Sequence, residues 1–399
     1  MTIACPDCGT LEDLPQLKPG AAALCPSCYA ALERTSGRSV TAALACSAAT
    51  FLLLFPANLL PLMQVTILGM SRESRIWSGV MQLWSHQWVI LALLVGLFAV
   101  ILPFLRFGLL TIVLACVRAG WQPGWLGRAF RWAMRLDAWA MPDVFLIGCV
   151  VGYSRINANM PVRIEAGGYC FIAAALLCAI TRAAMERRTV WRSIAPEQET
   201  PSGPVISCTV CDLIAPATAE GEPCPRCGLR LHARKTDAMI RTTALVAAGF
   251  LLYLPANIYP MSSNTQLGGL VTHRIIDGIR ELFQAGLWPF GILIFCTSIA
   301  IPLVKLLGLS WFVLSARRRS GKRLVLKTKL YRFIDEIGRW SNVDVFTVAV
   351  FVPLLQFGII TQTRAEVGST AFVLVVLLTM LASRAFDPRL LWDAAEQTP

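Results

Sequence analysis

The sequence predicts a polytopic α-helical membrane protein: a tandem parallel repeat of four transmembrane helices, each block preceded by a small cytoplasmic zinc ribbon of short β-hairpins. Three observations predict it. The 399-residue chain is 56% hydrophobic and only 15% charged, against about 45–50% and about 25% in ordinary soluble domains. Its mean hydropathy of +0.60 excludes disordered, collagenous and ordinary cytosolic classes. Four motifs recur in one order at offsets of 199 to 203 residues, and eight of the 14 cysteines fall into Cys-x-x-Cys pairs.

The first element, residues 1–38, is a ribbon carrying Cys5, Cys8, Cys25 and Cys28. The corresponding element, 191–238 with its linker, carries Cys208, Cys211, Cys224 and Cys227. Two such knuckles separated by 16 residues in the first ribbon and 12 in the second have the spacing of a four-thiolate site. Gly9 and Gly228, each following a knuckle cysteine, supply backbone freedom where the chain turns away. Zinc, two ions per chain, is the expected metal. Iron in the same sulfur cage and a redox dithiol are the alternatives, and the second needs only one pair. Four thiolates leave no open coordination position, so the ions are expected to fold the ribbons rather than catalyse. Met1 to Gly20 lacks a basic segment followed by an apolar one, so no cleaved signal is expected and the first ribbon belongs in a reducing cytoplasm. The six single cysteines, Cys46, Cys116, Cys149, Cys170, Cys178 and Cys296, read as small core residues.

The blocks at 39–190 and 239–399 each contain four apolar segments near the length that crosses about 30 Å of hydrocarbon. They lie near Val40 to Met63, Trp88 to Cys116, Asp143 to Ile156 and Gly168 to Ala184 in copy one, and near Ile240 to Met261, Trp288 to Leu314, Asp344 to Thr361 and Thr370 to Ala385 in copy two. The third of each copy is the shortest and weakest. On this eight-span plan the segments on the ribbon side hold 27 lysines and arginines and the opposite loops 7. That split places both termini and both ribbons in the cytoplasm. An even number of spans per copy makes the repeats parallel.

Pro56-Ala57-Asn58-x-x-Pro61 recurs as Pro255-Ala256-Asn257-x-x-Pro260 at the far end of each first span. Paired prolines free carbonyls that an asparagine side chain can satisfy. The motif reads either as a kink or as the wall or gate of a cavity. Arg106 and Lys305 lie inside apolar helices, each three residues after a proline, at a cost of about 2.5 to 3.5 kcal/mol per charge at the bilayer centre. Asp143 and Asp344 begin the next helix of each copy, so Arg106–Asp143 and Lys305–Asp344 pairs are expected. Ser298 and Thr379 lie at a similar depth and complete a polar network for transport or proton relay, centred on copy two because lysine changes protonation more readily than arginine. The plainer reading has the cations snorkel and the acids cap helices. Two basic, aromatic-rich stretches, Gly127 to Trp139 and Arg317 to Trp340, read as segments lying on anionic lipid. The net charge of +12 therefore reports topology and not nucleic-acid binding, and no P-loop motif occurs.

Alternation of two four-cysteine ribbons with two four-span blocks, each containing Pro-Ala-Asn-x-x-Pro, resembles the paraquat-inducible protein A family, the PqiA and LetA-like inner-membrane proteins. The resemblance covers nearly the whole chain, and the ribbon cysteines carry over at all eight positions. It implies a multi-pass component of the bacterial inner membrane, not an enzyme, that passes phospholipid to a periplasmic tunnel partner built of mammalian-cell-entry (MCE) domains. A membrane redox protein shuttling electrons through metal-thiolate ribbons is the alternative. It lacks haem-ligating histidine pairs, since His86, His232 and His273 are the only histidines and none lies deep in an apolar run.

Overall fold

The structure is a computed structural model that describes the chain except residues 1, 15–16, 19, 36, 38, 68–69, 158–160, 196–200, 202, 267–268, 356–361 and 397–399. It is mostly helical. In the first ribbon β1 (Thr2–Ala4) pairs with β2 (Leu11–Asp13), and β3 (Ala22–Leu24) with β4 (Ala31–Arg34). Helix α1 (Val40–Leu59) follows, capped by the Ser39 side chain. The hairpin β5 (Met63–Ile67) and β6 (Met70–Ser74) leads to α2 (Ile76–Ser85). A continuous helical rod then runs from Val89 to Arg118 as α3 (Val89–Val95), a π-helical turn (Gly96–Ile101) and α4 (Leu102–Arg118). The amphipathic α5 (Leu126–Leu136), then α6 (Pro142–Asn157), β7 (Val162–Ile164), α7 (Ala166–Ala184) and α8 (Arg187–Ile194) complete copy one.

Copy two repeats this order: β8 (Val205–Ser207) paired with β9 (Ile214–Pro216), α9 (Ala238–Ile258), β10 (Ser262–Gln266), β11 (Gly269–His273) and α10 (Ile275–Gln284). A second rod follows as α11 (Trp288–Phe295), a π-helical turn (Cys296–Ala300) and α12 (Ile301–Arg317). Next come α13 (Leu324–Ile337), a 3-10 turn (Gly338–Ser341), α14 (Asn342–Leu355), β12 (Gln362–Ala365), α15 (Val367–Ala385) and α16 (Arg389–Glu396).

Among the described residues six helices are long and apolar enough to cross a membrane: α1, α7, α9, α15 and the two 30-residue rods. The third segments are shorter. Helix α6 is unbroken, and α6 and α14 cross at Gly148, where a Cβ would stand 2.8 Å from that of Phe346. The Phe145 and Phe346 rings meet at 5.2 Å. These two helices pack on each other across the copies and most of their described side chains are buried, so their sequences need not be apolar for a full bilayer thickness. The distal end of the third predicted segment of copy two, 356–361, is outside the described residues.

Both π-turns have the same cause. Pro103 and Pro302 have no N–H to give the carbonyl four residues back, at Ala99 and Ser298, and the ladder widens there. Sequence reasoning extended the first spans to Met63 and Met261; instead the helices stop at Leu59 and Ile258. Beyond them the chain forms two three-stranded antiparallel sheets, β6-β5-β7 and β11-β10-β12, at the end of the blocks away from the ribbons. Here two repeated motifs meet. The Gly167 N–H donates to the Pro61 carbonyl (2.9 Å) and the Gly368 N–H to that of Pro260 (3.1 Å). A Cβ on either glycine would lie 2.5 Å from a backbone oxygen, which explains why Glu165-x-Gly167, repeated as Glu366-x-Gly368, accompanies Pro-Ala-Asn-x-x-Pro in each copy.

The ribbons cross over. Ribbon two seats on copy one: its cysteines share a core with Leu110, Leu126, Phe130 and Trp191, and Gly127 of α5 lies so close to the Arg226 carbonyl that a Cβ would sit 1.9 Å from it. Ribbon one seats on copy two. Arg332 of α13 donates to the carbonyls of Cys28 (2.6 Å) and Tyr29 (3.1 Å) and pairs with Asp7 (2.9 Å), while Trp392 of α16 packs on its core. A rim contact from Glu33 to Arg192 of α8 (3.2 Å) ties it to copy one as well.

Candidate functional site

Each ribbon gathers its four cysteines into one buried cluster, with all sulfurs within 4.8 Å of one another. Cys5–Cys28, Cys8–Cys25, Cys208–Cys227 and Cys211–Cys224 are each 3.5 Å apart between sulfurs. A tetrahedral ion with bonds of about 2.3 Å sets sulfur separations of about 3.8 Å, so the donor set fits such a metal. Each knuckle closes with a hydrogen bond to the carbonyl of its first cysteine, donated by the N–H of Gly9, Tyr29, Asp212 and Gly228 at 2.7–3.1 Å. All four of these residues have positive φ, from 57° to 82°. Glycine was expected at two of them; Tyr29 and Asp212 accept the same strained geometry.

The predicted membrane network lies where the second rod, α14 and α15 meet. Lys305 is wholly buried, and its ammonium donates to Thr379 Oγ1 at 3.0 Å. Ser298, in the π-turn, donates to Asp344 Oδ2 at 2.9 Å, and Asp344 opens α14 from a buried position. The direct Lys305–Asp344 pair expected from the sequence does not form: the lysine faces α15 and the carboxylate faces the π-turn. Among the described residues no carboxylate lies within 4 Å of the ammonium.

Copy one corrects the expectation differently. Arg106 pairs not with Asp143 but with Asp137, at 2.5 Å, and donates to Cys178 Sγ at 3.6 Å. Asp143 instead accepts from Arg182 (2.6 Å) and Arg339 (2.8 Å). The reason is α5, which folds back under the bundle and delivers Asp137 to the arginine before the chain reaches Asp143. Asp137 went unnoticed in the sequence although it is the single acid in its basic stretch.

At the repeat offset of 201, Thr379 corresponds to Cys178 and Gly338 to Asp137. Where copy one places a carboxylate, copy two has a glycine whose added Cβ would stand 3.2 Å from Lys305 Nζ. The two blocks therefore share one scaffold and differ at the buried cation: one charge is matched and the other is held by a hydroxyl.

The asparagines of the proline motif also act differently from expectation. Asn58 Nδ2 donates to Leu54 O and Asn257 Nδ2 to Tyr253 O, both at 2.8 Å. The carbonyls that Pro56 and Pro255 free are those of Leu52 and Leu251, and both helices continue through these prolines. Pro61 and Pro260 lie beyond the helix ends, in the segment on which Gly167 and Gly368 dock.

Comparison with known proteins agrees with this architecture. The family described as paraquat-inducible protein A matches twice, over residues 40–195 and 239–396. The chain is 31% identical to "Intermembrane transport protein PqiA" of Escherichia coli (strain K12), covering 98% of this chain and 95% of that protein. It is 28% identical to "Lipophilic envelope-spanning tunnel protein A" of the same organism, over 98% of this chain and 91% of that protein. A "Probable intermembrane transport protein" of Haemophilus influenzae is 24% identical over 98% and 95%. No solved structure matches the chain. Two matched blocks and near-complete alignment to these relatives make the chain a multi-pass membrane protein that belongs to the paraquat-inducible protein A family.

Proposed function

We propose that this chain is the inner-membrane component of an envelope lipid transport system, passing phospholipid between that membrane and a periplasm-spanning partner built of MCE domains. The relatives' names supply the transport class, and the observation that carries the reading is the asymmetry of the buried cations. In copy one Arg106 and Asp137 form a matched pair, as expected of scaffold. In copy two Lys305 rests on Thr379, while Ser298, seven residues before it, bonds Asp344. A lysine held by a hydroxyl can exchange its proton or its partner without stranding a bonded carboxylate. This suits coupling of lipid movement to protons.

In this reading all eight apolar segments span, the α6–α14 pair lining the interior, and both termini and ribbons face the cytoplasm, as the 27 to 7 charge split favours. The ribbons each hold a zinc ion through Cys5, Cys8, Cys25 and Cys28 and through Cys208, Cys211, Cys224 and Cys227. The metal's part is to fold the ribbons; the chain is a transporter, not an enzyme, with no nucleic-acid partner. Against membrane electron transfer stands the want of haem-ligating histidine pairs in the apolar segments, His86, His232 and His273 being the only histidines.

Mass spectrometry of lipids co-purified with the intact chain tests the substrate class. Lys305→Met and Asp344→Leu, singly and together, test the network: expression and metal content hold while envelope barrier function is lost. Wild-type function in the double variant would reduce the pair to scaffolding.

A further inference from the structure

A trough of about 710 Å3 opens along the contact between the copies, on the ribbon side of the blocks. That size lies in the range of ligand sites, about 300–1,000 Å3. Leu97 and Leu102 of the first rod form one wall, Trp132 of α5 a ledge, and Leu377 of α15 the opposite wall. Leu97 and Trp132 are 41% and 50% exposed, so the trough is open at its side to surrounding hydrocarbon. Its inner end is closed by Phe98, whose ring lies 5.3 Å from that of Trp139.

The rim is cationic. The Arg384 guanidinium stacks 4.5 Å from the Trp139 ring and gives one hydrogen bond to Ala138 O at 3.1 Å. A guanidinium has five N–H donors, which leaves donors for a further acceptor. Arg135, exposed on the last turn of α5, lies 5.7 Å from the Trp132 ring. Asp335 also reaches the rim, leaving the three charges at net positive. At the repeat offset of 201, Met134 and Arg135 become Asp335 and Glu336. The duplicated scaffold therefore carries Arg135 in copy one where copy two has Glu336, and Asp335 of copy two meets copy one at this rim.

We infer that the trough binds one phospholipid from the leaflet on the ribbon side, with its phosphate at Arg135 and Arg384 and an acyl chain along Leu97, Leu102 and Leu377. Two arginines at the rim, an aromatic ledge and an apolar trough open to the bilayer together match that chemistry and no water-soluble anion. Arginine suits phosphate because its planar fork contacts two oxygens. The site deepens the transport reading and rests on it, giving the lipid a place of entry or exit beside the first π-turn.

Native mass spectrometry of the full chain in detergent tests this, titrating phosphatidylglycerol, diacylglycerol and inorganic phosphate separately. Phosphatidylglycerol is expected to be retained, diacylglycerol about tenfold less tightly for want of the charged contacts, and inorganic phosphate not at all. Arg135→Glu, at an exposed position, should weaken phosphatidylglycerol about tenfold. Leu377→Trp, which fills the trough and leaves the charges, should weaken it as much, with metal content and monodispersity unchanged as the check on folding. Wild-type binding in both variants, or binding of inorganic phosphate alone, overturns the site. An envelope barrier assay separates this from the transport reading. Variants that bind and function as wild type end the site and leave transport standing, while variants that lose the lipid yet function normally uphold the site and end its role in transport.

Discussion

Replacing Gly338 by aspartate would give copy two the carboxylate that copy one already has. The Gly338 Cβ position is 3.2 Å from Lys305 Nζ and 3.3 Å from Cε, and the backbone there is ordinary helical with φ −58°, so the side chain enters without backbone strain. The lysine tip must give by a few tenths of an ångström, after which a carboxylate lies within contact of the ammonium, as Asp137 does at 2.5 Å from Arg106. Two unit charges about 4 Å apart attract by about 4 kcal/mol at an effective dielectric constant near 20. That is about three decades in the population of any state in which Lys305 leaves its site. Gly338→Asp should therefore express and melt at or above wild type and yet fail to restore envelope barrier function, read as detergent and antibiotic sensitivity in a strain that depends on this chain. Gly338→Ala is the steric control and should retain most function. Wild-type complementation by Gly338→Asp would refute the idea that an unmatched lysine matters.

Four further outcomes follow from other contacts. Arg332→Ala should release ribbon one from α13, removing charged hydrogen bonds of about 1.5–3 kcal/mol each; limited proteolysis within 1–38 should quicken about tenfold with metal content unchanged. Gly167→Ala and Gly368→Ala should each cost about 1–3 kcal/mol or more, because the atoms met at 2.5 Å are backbone, and a lowered melting temperature in detergent would register it. Cys25→Ser and Cys224→Ser should each remove one metal per chain by elemental analysis. Asp387 supplies a pH test. Burial works to raise its carboxyl, but hydrogen bonds and charge from Arg389, with Lys235, outweigh burial and hold it below 3.8. Because its value is depressed on folding, its contribution is complete above the unfolded value of about 3.9 and is lost as pH falls through the lower folded value. Asp387→Asn should thus destabilise at pH 7 and converge with wild type in strong acid.

The parts of this fold that the sequence revealed were those fixed by spacing. Cys-x-x-Cys pairs and 20-residue apolar runs encode short-range geometry, and the clusters and long helices formed where those patterns lay. The charged pairs were harder to read, because pairing depends on where α5 returns after Arg118. Nothing local to Asp137 or Asp143 says which of them will meet Arg106. The π-turns were signalled, by prolines at the same depth in both rods, but Pro103 and Pro302 were read only as landmarks beside the cations. The outer sheets were missed because Ser262–Gln266 and Met63–Ile67 lie at the ends of apolar runs, where hydropathy cannot tell the last turn of a helix from the first residues of a strand.

The crossing of the ribbons changes what a half of this molecule is. Arg332 of the second half grips the first ribbon, and Gly127 of the first half seats the second, so neither half contains its own principal ribbon contact. Two separate single-copy chains could make the same contacts only by trading their leading segments, at a strength that depends on concentration. Joining them end to end makes the trade intramolecular and fixes its effective concentration by the length of one linker. Severed between the copies, the halves should work as a reciprocal pair and not singly, and a ribbon that loses its metal would loosen the opposite half before its own.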